Sequence, residues 1–255
     1  MKKETYDDLF YKDMYENTKY AATKILSILN DLAVINSVVD LGCGIGAWLC
    51  CAKNVFSRGG GTDIRIRGLD GPYVPTKYRV ISEQEFYPTD LSKPININER
   101  FDLVISLEVA EHLPENRAEG FVRDLCLLGD IILFSAAVPR QGGTEHINEQ
   151  WQTYWANKFD KNGFDAFDII RPKIYDDYRV PLWYRNNMIV YVKRNTKLCE
   201  QMKENVDSRV LDMLLPEMHK KIMNELVGEY EAKLNLLPVR FIMRINSTIR
   251  KIWKH

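Results

Sequence analysis

Val38-Val39-Asp40-Leu41-Gly42-Cys43-Gly44-Ile45-Gly46-Ala47-Trp48 decides how this chain is read. An apolar run rich in β-branched residues enters a bend with glycine at every second position, then leaves into a stretch with helical apolar spacing. Glycine is required where a backbone must turn sharply and let a ligand approach without a Cβ in the way. Further apolar, β-branched runs bounded by turn residues recur at 64–69, 78–81, 102–106, 130–135, 167–171 and 188–193, which with 37–41 makes seven candidate strands. Several are almost continuously hydrophobic, as strands covered on both faces are.

Between these runs the apolar period changes to that of helices. Ala21, Ile25, Ile28 and Leu32 fall on one face, as do Phe121, Leu125 and Leu128, and Asn148 is placed to cap a helix carrying Trp151, Tyr154 and Trp155. Alternation of the two periods predicts an α/β fold: a doubly wound, Rossmann-like, mostly parallel seven-stranded sheet with helices on both faces. Such a sheet binds its ligand beyond the carboxyl ends of its strands, so chemistry is sought in the residues that end them. Strand signals stop at Arg194, which divides the chain into a sheet domain at 1–194 and a helical C-terminal extension at 195–255. Residues 238–255 hold Arg240, Arg244, Arg250, Lys251 and Lys254 without a carboxylate side chain, a pattern that suits an anionic membrane surface or, more commonly, docking on the fold or on a second copy.

Composition narrows the function classes. The 255 residues are 45% hydrophobic and 27% charged, with 35 Lys plus Arg against 35 Asp plus Glu. Disorder and fibrous classes are excluded, and a balanced charge gives the whole chain no reason to condense on nucleic acid. No signal-like or membrane-spanning apolar stretch is present, and five cysteines without CxxC or zinc spacing read as reduced thiols, so a cytoplasmic location is expected.

Two cofactor classes use a glycine bend of this kind. Gly42-x-Gly44-x-x-Ala47 fits the dinucleotide fingerprint, a weak pattern alone, and keeps an NAD(P)-dependent oxidoreductase as an alternative. Asp40-x-Gly42-x-Gly44-x-Gly46 resembles motif I of class I S-adenosylmethionine-dependent methyltransferases, a tighter match because an acid precedes the first glycine. The resemblance extends over roughly residues 6–193. It makes Asp40, Gly42, Cys43, Gly44 and Gly46 contacts to the amino-acid end of the cofactor. It sets Asp70, beside Gly71, on the ribose hydroxyls, a role both cofactor classes share, and Asp90 with Leu91 on the adenine edge, with Leu107 lining the site. The Ser57-Arg58-Gly59-Gly60-Gly61-Thr62 insertion departs from the family pattern and loosens the register of Asp70.

Ser106-Leu107-Glu108-Val109-Ala110-Glu111-His112-Leu113-Pro114 resembles the segment after the fourth strand in small-molecule and some RNA-end methyltransferases. Glu108, Glu111 and His112 stand at i, i+3 and i+4, which a helix starting there would turn to one side. Two carboxylates and an imidazole suit Mg²⁺ or Mn²⁺, and RNA 3′-end enzymes of similar pattern add a further histidine, for which His146 is the candidate. Without an ion, His146 or His112 would act as the base that takes a hydroxyl proton. Gly142-Gly143-Thr144-Glu145-His146 and Val180-Pro181-Leu182-Trp183-Tyr184-Arg185 look like stretches of methyltransferases from bacterial surface-polysaccharide loci, which implies O-methylation of a glycan, its activated precursor, or a phosphate or phosphoramidate substituent. A methyltransferase acting on an RNA end remains an alternative, as does a non-catalytic subunit acting through the basic tail. Tyr6, Tyr11, Tyr15 and Tyr20 are candidates for a lid, and Arg140, Arg171 and Arg185 for an anion clamp. Ser106 to Val109 lacks the Asn/Asp-Pro-Pro-aromatic tetrad of amino methyltransferases, which argues against transfer to a base nitrogen.

Overall fold

The computed structural model describes residues 8–57, 64–205 and 211–234. The first of two compact units, Met1–Leu215, is built on one sheet. Its strands are β1 (Ser37–Leu41), β2 (Arg65–Asp70), β3 (Phe86–Pro88), β4 (Leu103–Leu107), β5 (Ile131–Ser135), β6 (Phe164–Phe167) and β7 (Ile189–Lys193). Their spatial order is β3-β2-β1-β4-β5-β7-β6. The pairs among β1 to β5 are parallel, whereas β7 runs antiparallel to both β5 and β6. Strand order reverses between β1 and β4, so a crevice opens where the glycine bend and the segment after β4 leave the sheet.

Side-chain alternation divides the strands between two cores. Val38, Leu103, Ile105 and Leu133 face one layer, and Val39, Leu41, Val104, Ile132 and Phe134 face the other. All five residues of β1 and of β4 are buried, the apolar majority on both faces and Ser37, Asp40 and Ser106 among them. The first layer holds α1 (Asp8–Asn30), α2 (Ala47–Phe56), α5 (Arg171–Ile174), α6 (Leu182–Asn187) and α7 (Lys197–Asn205); the second holds α3 (Glu115–Leu128) and α4 (Gln152–Lys161). Asp40 falls on the same side of β1 as Val38, toward α2 and α6. The second unit, Pro216–His255, contributes α8 (Pro216–Leu234).

The structure corrects several sequence expectations. Residues 78–81 form no strand: Val80 N–H bonds to Ile45 O, and the Ile81 side chain fills the space where a Gly46 Cβ would lie, 2.7 Å from its nearest carbon. That apolar pair closes over the glycine bend, and Phe86–Pro88 joins the sheet instead. The strand expected at 167–171 lies at Phe164–Phe167, because Asp168 takes Arg171 in a two-pronged ion pair and Arg171-Pro172 starts a helix. Asn148 caps no helix; its N–H goes to Glu111 O, its Oδ1 accepts from Gln150, and Trp151 precedes the first turn of α4. Helix α1 ends at Asn30, which leaves Leu32 beyond it and 38% exposed. The first unit also continues past Arg194 to Leu215, for Cys199 and Met202 of α7 are part of the core and Leu215 N–H bonds to Asn186 Oδ1. The basic segment 238–255 lies outside the described residues.

Candidate functional site

The glycine bend sits against the end of β2, with Gly42 N–H and Cys43 N–H both donating to Leu69 O. Gly42, Gly44 and Gly46 have φ of 85°, 53° and 87°, a left-handed path that L side chains adopt at a cost. A Cβ on Gly42 would run into Val109, whereas one on Gly44 would meet nothing within 4 Å. The bend is therefore locked from behind and open in front. Asp40 is 3% exposed, and burial, with the Asp70 charge adding to it, pushes its carboxyl well above the usual range. Asp70 ends β2 and accepts hydrogen bonds from Gly44 N–H (2.7 Å), Gly71 N–H (2.6 Å) and the Tyr73 hydroxyl (2.7 Å). Tyr73 is 79% exposed, so a ligand hydroxyl can displace its phenol from that carboxylate. Cys43 is buried in the same bend, and burial raises its thiol far above the reactive range.

A second cluster forms after β4. Glu108 has φ of 55°, and the chain turns through a short 3₁₀ helix at Ala110–His112. The expected helix starting at Glu108 is absent, and Glu108, although its carboxyl still acts on Glu111, lies outside the group whose ligand atoms converge. Its carboxylate accepts from Gln141 Nε2 (3.0 Å) and Asn187 Nδ2 (3.1 Å), and burial raises it while these donors pull it down. Glu111, His112 and His146 are the group brought together, with ligand-competent atoms within 4.8 Å of one another. Glu111 is fully buried; its Oε1 accepts from Ala137 N–H (3.1 Å), and its Oε2 has no partner. Burial, then the Glu108 charge, pushes its carboxyl well up. His112 Nδ1 lies 3.3 Å from Glu145 O, and His146 Nδ1 lies 2.9 Å from Glu149 Oε1. Each contact is to an acceptor, so each Nδ1 carries a hydrogen, which in the neutral imidazole leaves the lone pair on Nε2. Partial burial and the neighbouring His146 hold His112 below its ordinary pKa, in the neutral form a metal ligand needs. A buried carboxylate oxygen without a donor beside two imidazoles oriented by acceptors is a donor set that fits a hard divalent cation.

No protein-family model matches the chain, and no curated protein sequence matches it. Solved structures do. DesVI of Streptomyces venezuelae superposes with a TM-score of 0.54 at 12% identity, over 73% of this chain and 96% of that one. The complex of the Haloferax volcanii Trm112 methyltransferase activator with a putative methyltransferase gives a TM-score of 0.52 at 16% identity, over 72% and 94%. Human N-acetylserotonin methyltransferase in complex with SAM gives 0.50 at 18% identity, over 72% of this chain and 55% of that one. The fold is that of the class I methyltransferases. The antiparallel β7 between β5 and β6 departs from the 3-2-1-4-5-6 order of dinucleotide-binding sheets.

Within this methyltransferase fold the remaining candidates separate. Thr89 N–H pairs with Asp70 O, which brings Asp90 and Leu91 to the carboxyl edge. Asp90 spends one oxygen on Ser92 N–H (3.1 Å) and Oγ (2.5 Å) and the other on Lys93 (3.1 Å), so it holds its own turn. Leu91 and Leu107 are buried to the same degree, 9% exposed. The arginine clamp does not form. Arg171 is completely buried against Asp168 and Asn186 O, and Arg185 donates to Val180 O and Tyr175 O; Arg140 alone is exposed. Tyr20 donates to Asp177 (2.6 Å) rather than covering a pocket; Tyr6 and the side chains of Tyr11 and Tyr15 lie outside the described residues. Sequence reasoning missed Gln141, Asn187, Glu149 and Tyr184. Glu149 is the most telling, since its carboxylate accepts from Arg140 N–H (2.7 Å), Gly142 N–H (2.9 Å) and His146, fixing both the loop and the imidazole. Its i, i+3 spacing from His146 was the available signal.

Proposed function

We propose that this chain is an S-adenosylmethionine-dependent O-methyltransferase, acting in the cytoplasm on a hydroxyl of a cell-surface glycan or its activated precursor, with a divalent ion on Glu111, His112 and His146. The observation that carries the reading is the unpartnered, fully buried Glu111 Oε2 beside two imidazoles, set after β4 and across the sheet's crevice from the open front of Gly44. Bound S-adenosylmethionine supplies a methyl group on a sulfonium that is its own leaving group. The chain then has mainly to align donor and acceptor, a contribution of several kcal/mol. Asp40 and the glycine bend hold the amino-acid limb, and Asp70 takes ribose hydroxyls once the Tyr73 phenol yields.

A sugar hydroxyl is a poor nucleophile until its proton is weakened or removed, and an ion held by the trio would supply that acidity. Without the ion, Nε2 of His112 or of His146 would serve as the base. An acceptor that is itself a phosphate or phosphoramidate has less support. Two of the three arginines expected to clamp it are committed elsewhere.

Transfer of labelled methyl from S-adenosylmethionine to capsule-type sugar nucleotides, glycan fragments and RNA 3′ ends tests the reading, with chelator and with Mn²⁺ restored. Methyl ethers on sugar hydroxyls, lost on chelation and regained with Mn²⁺, are expected. Undiminished turnover in chelator removes the ion, and label on RNA alone replaces the acceptor class.

A further inference from the structure

Helix α6 touches both walls of the cleft from one side. Asn187 reaches Glu108, and Tyr184, one turn earlier, packs edge-on against Trp48 of α2, with ring centroids 5.4 Å apart at 87°. The Tyr184 hydroxyl accepts the Trp48 Nε1–H at 3.3 Å. Indole nitrogen only donates, so the phenol oxygen must be the acceptor and its own proton is left over. Tyr184 is 9% exposed, and that proton has no acceptor among the described residues. Buried donors are rarely left idle.

Trp48 is the second residue of α2, and the N-cap of this helix is Gly46, which offers no side chain to its first amides. The Tyr184 hydroxyl, tied to Trp48 and near enough to Asp40 to feel its charge, therefore adds a neutral O–H to the α2 end of the cleft, where the uncapped N–H groups and the positive end of the helix dipole also lie. This arrangement is complementary to a carboxylate. Asp40, on the same side of β1, is complementary to the ammonium beside it.

We propose that Tyr184 is a cofactor-binding residue whose hydroxyl donates to the carboxylate of the amino-acid limb of S-adenosylmethionine, an assignment that rests on the methyltransferase reading above. Burial foremost, opposed by the Trp48 hydrogen bond, pushes its phenol up to about 12, so the proton stays available throughout the physiological range. The half-exposed Trp183 packs against the outer edge of the same ring, 5.9 Å between centroids, and keeps it from swinging out.

Calorimetric titration of the full chain with S-adenosylhomocysteine and with methylthioadenosine, which lacks the amino-acid limb, tests the assignment. Tyr184→Phe keeps the ring against Trp48 and removes only the hydroxyl. It is expected to weaken S-adenosylhomocysteine by about tenfold or more, the weight of a hydrogen bond to a charged group, and to leave methylthioadenosine unchanged. Equal affinity of both proteins for S-adenosylhomocysteine overturns the assignment. So does a parallel loss for both ligands, which would mark a damaged pocket rather than a lost carboxylate contact. If the unaltered chain takes up neither ligand, the methyltransferase reading itself falls and the assignment with it.

Discussion

Buried charge is handled in two opposite ways in this molecule. In the scaffold it is matched. Arg117 meets Asp124 at 2.5 Å and donates to Leu91 O and Lys93 O, and the completely buried Arg171 meets Asp168 at 2.8 Å and donates to Asn186 O. At the carboxyl ends of β1 and β4 it is not matched. Asp40 and Glu111 are as deeply buried, no Lys or Arg pairs with either among the described residues, and burial raises both carboxyls. Matched charge supports the fold, whereas unmatched charge is destabilising until a ligand arrives, and this difference separates scaffold from site more sharply than residue type does.

The contrast can be broken at either end. Arg171→Met removes one partner of a buried pair and is expected to cost about 3–5 kcal/mol in thermal or denaturant unfolding; a cost below about 1 kcal/mol would show that the scaffold pair is not what it appears. Glu111→Gln should leave unfolding unimpaired while lowering Mn²⁺ affinity about a hundredfold, and Glu149→Gln, which only orients His146, should lower it by about tenfold. Equal losses for the two would erase the distinction between ligand and support.

Asp40→Asn is expected to stabilise the ligand-free protein at neutral pH by roughly 1–2 kcal/mol, or about 2–4 °C in Tm. The sign follows from the raised carboxyl: the folded state keeps a proton that the unfolded chain gives up above about pH 4, so stability falls as pH rises from there. The gain from Asn should therefore vanish in acid, and a gain independent of pH would contradict the burial argument. Arg140→Ala, at an exposed side chain, should change stability by less than about 0.5 kcal/mol.

Much of the fold was legible because strands buried on both faces carry adjacent apolar residues, as Val38-Val39 and Leu103-Val104-Ile105 do. The glycine bend was legible because its left-handed φ values demand glycine. The 78–81 run misled because Ile81 is apolar to cover Gly46, a duty that composition does not distinguish from strand burial. Glu108 misled for a different reason: the i, i+3, i+4 rule presumes a helix, and a left-handed residue there turns its carboxylate toward Gln141 and Asn187. Those two, with Tyr184, come from segments far along the chain, where no local spacing connects them to the site.

The account stands most directly on one titration, S-adenosylhomocysteine into the full chain and into Gly44→Val, with NADH as the competing ligand. Heat with S-adenosylhomocysteine that disappears when a side chain fills the open front of Gly44, and none with NADH, is the expected result. Uptake of NADH with no response to S-adenosylhomocysteine would contradict it.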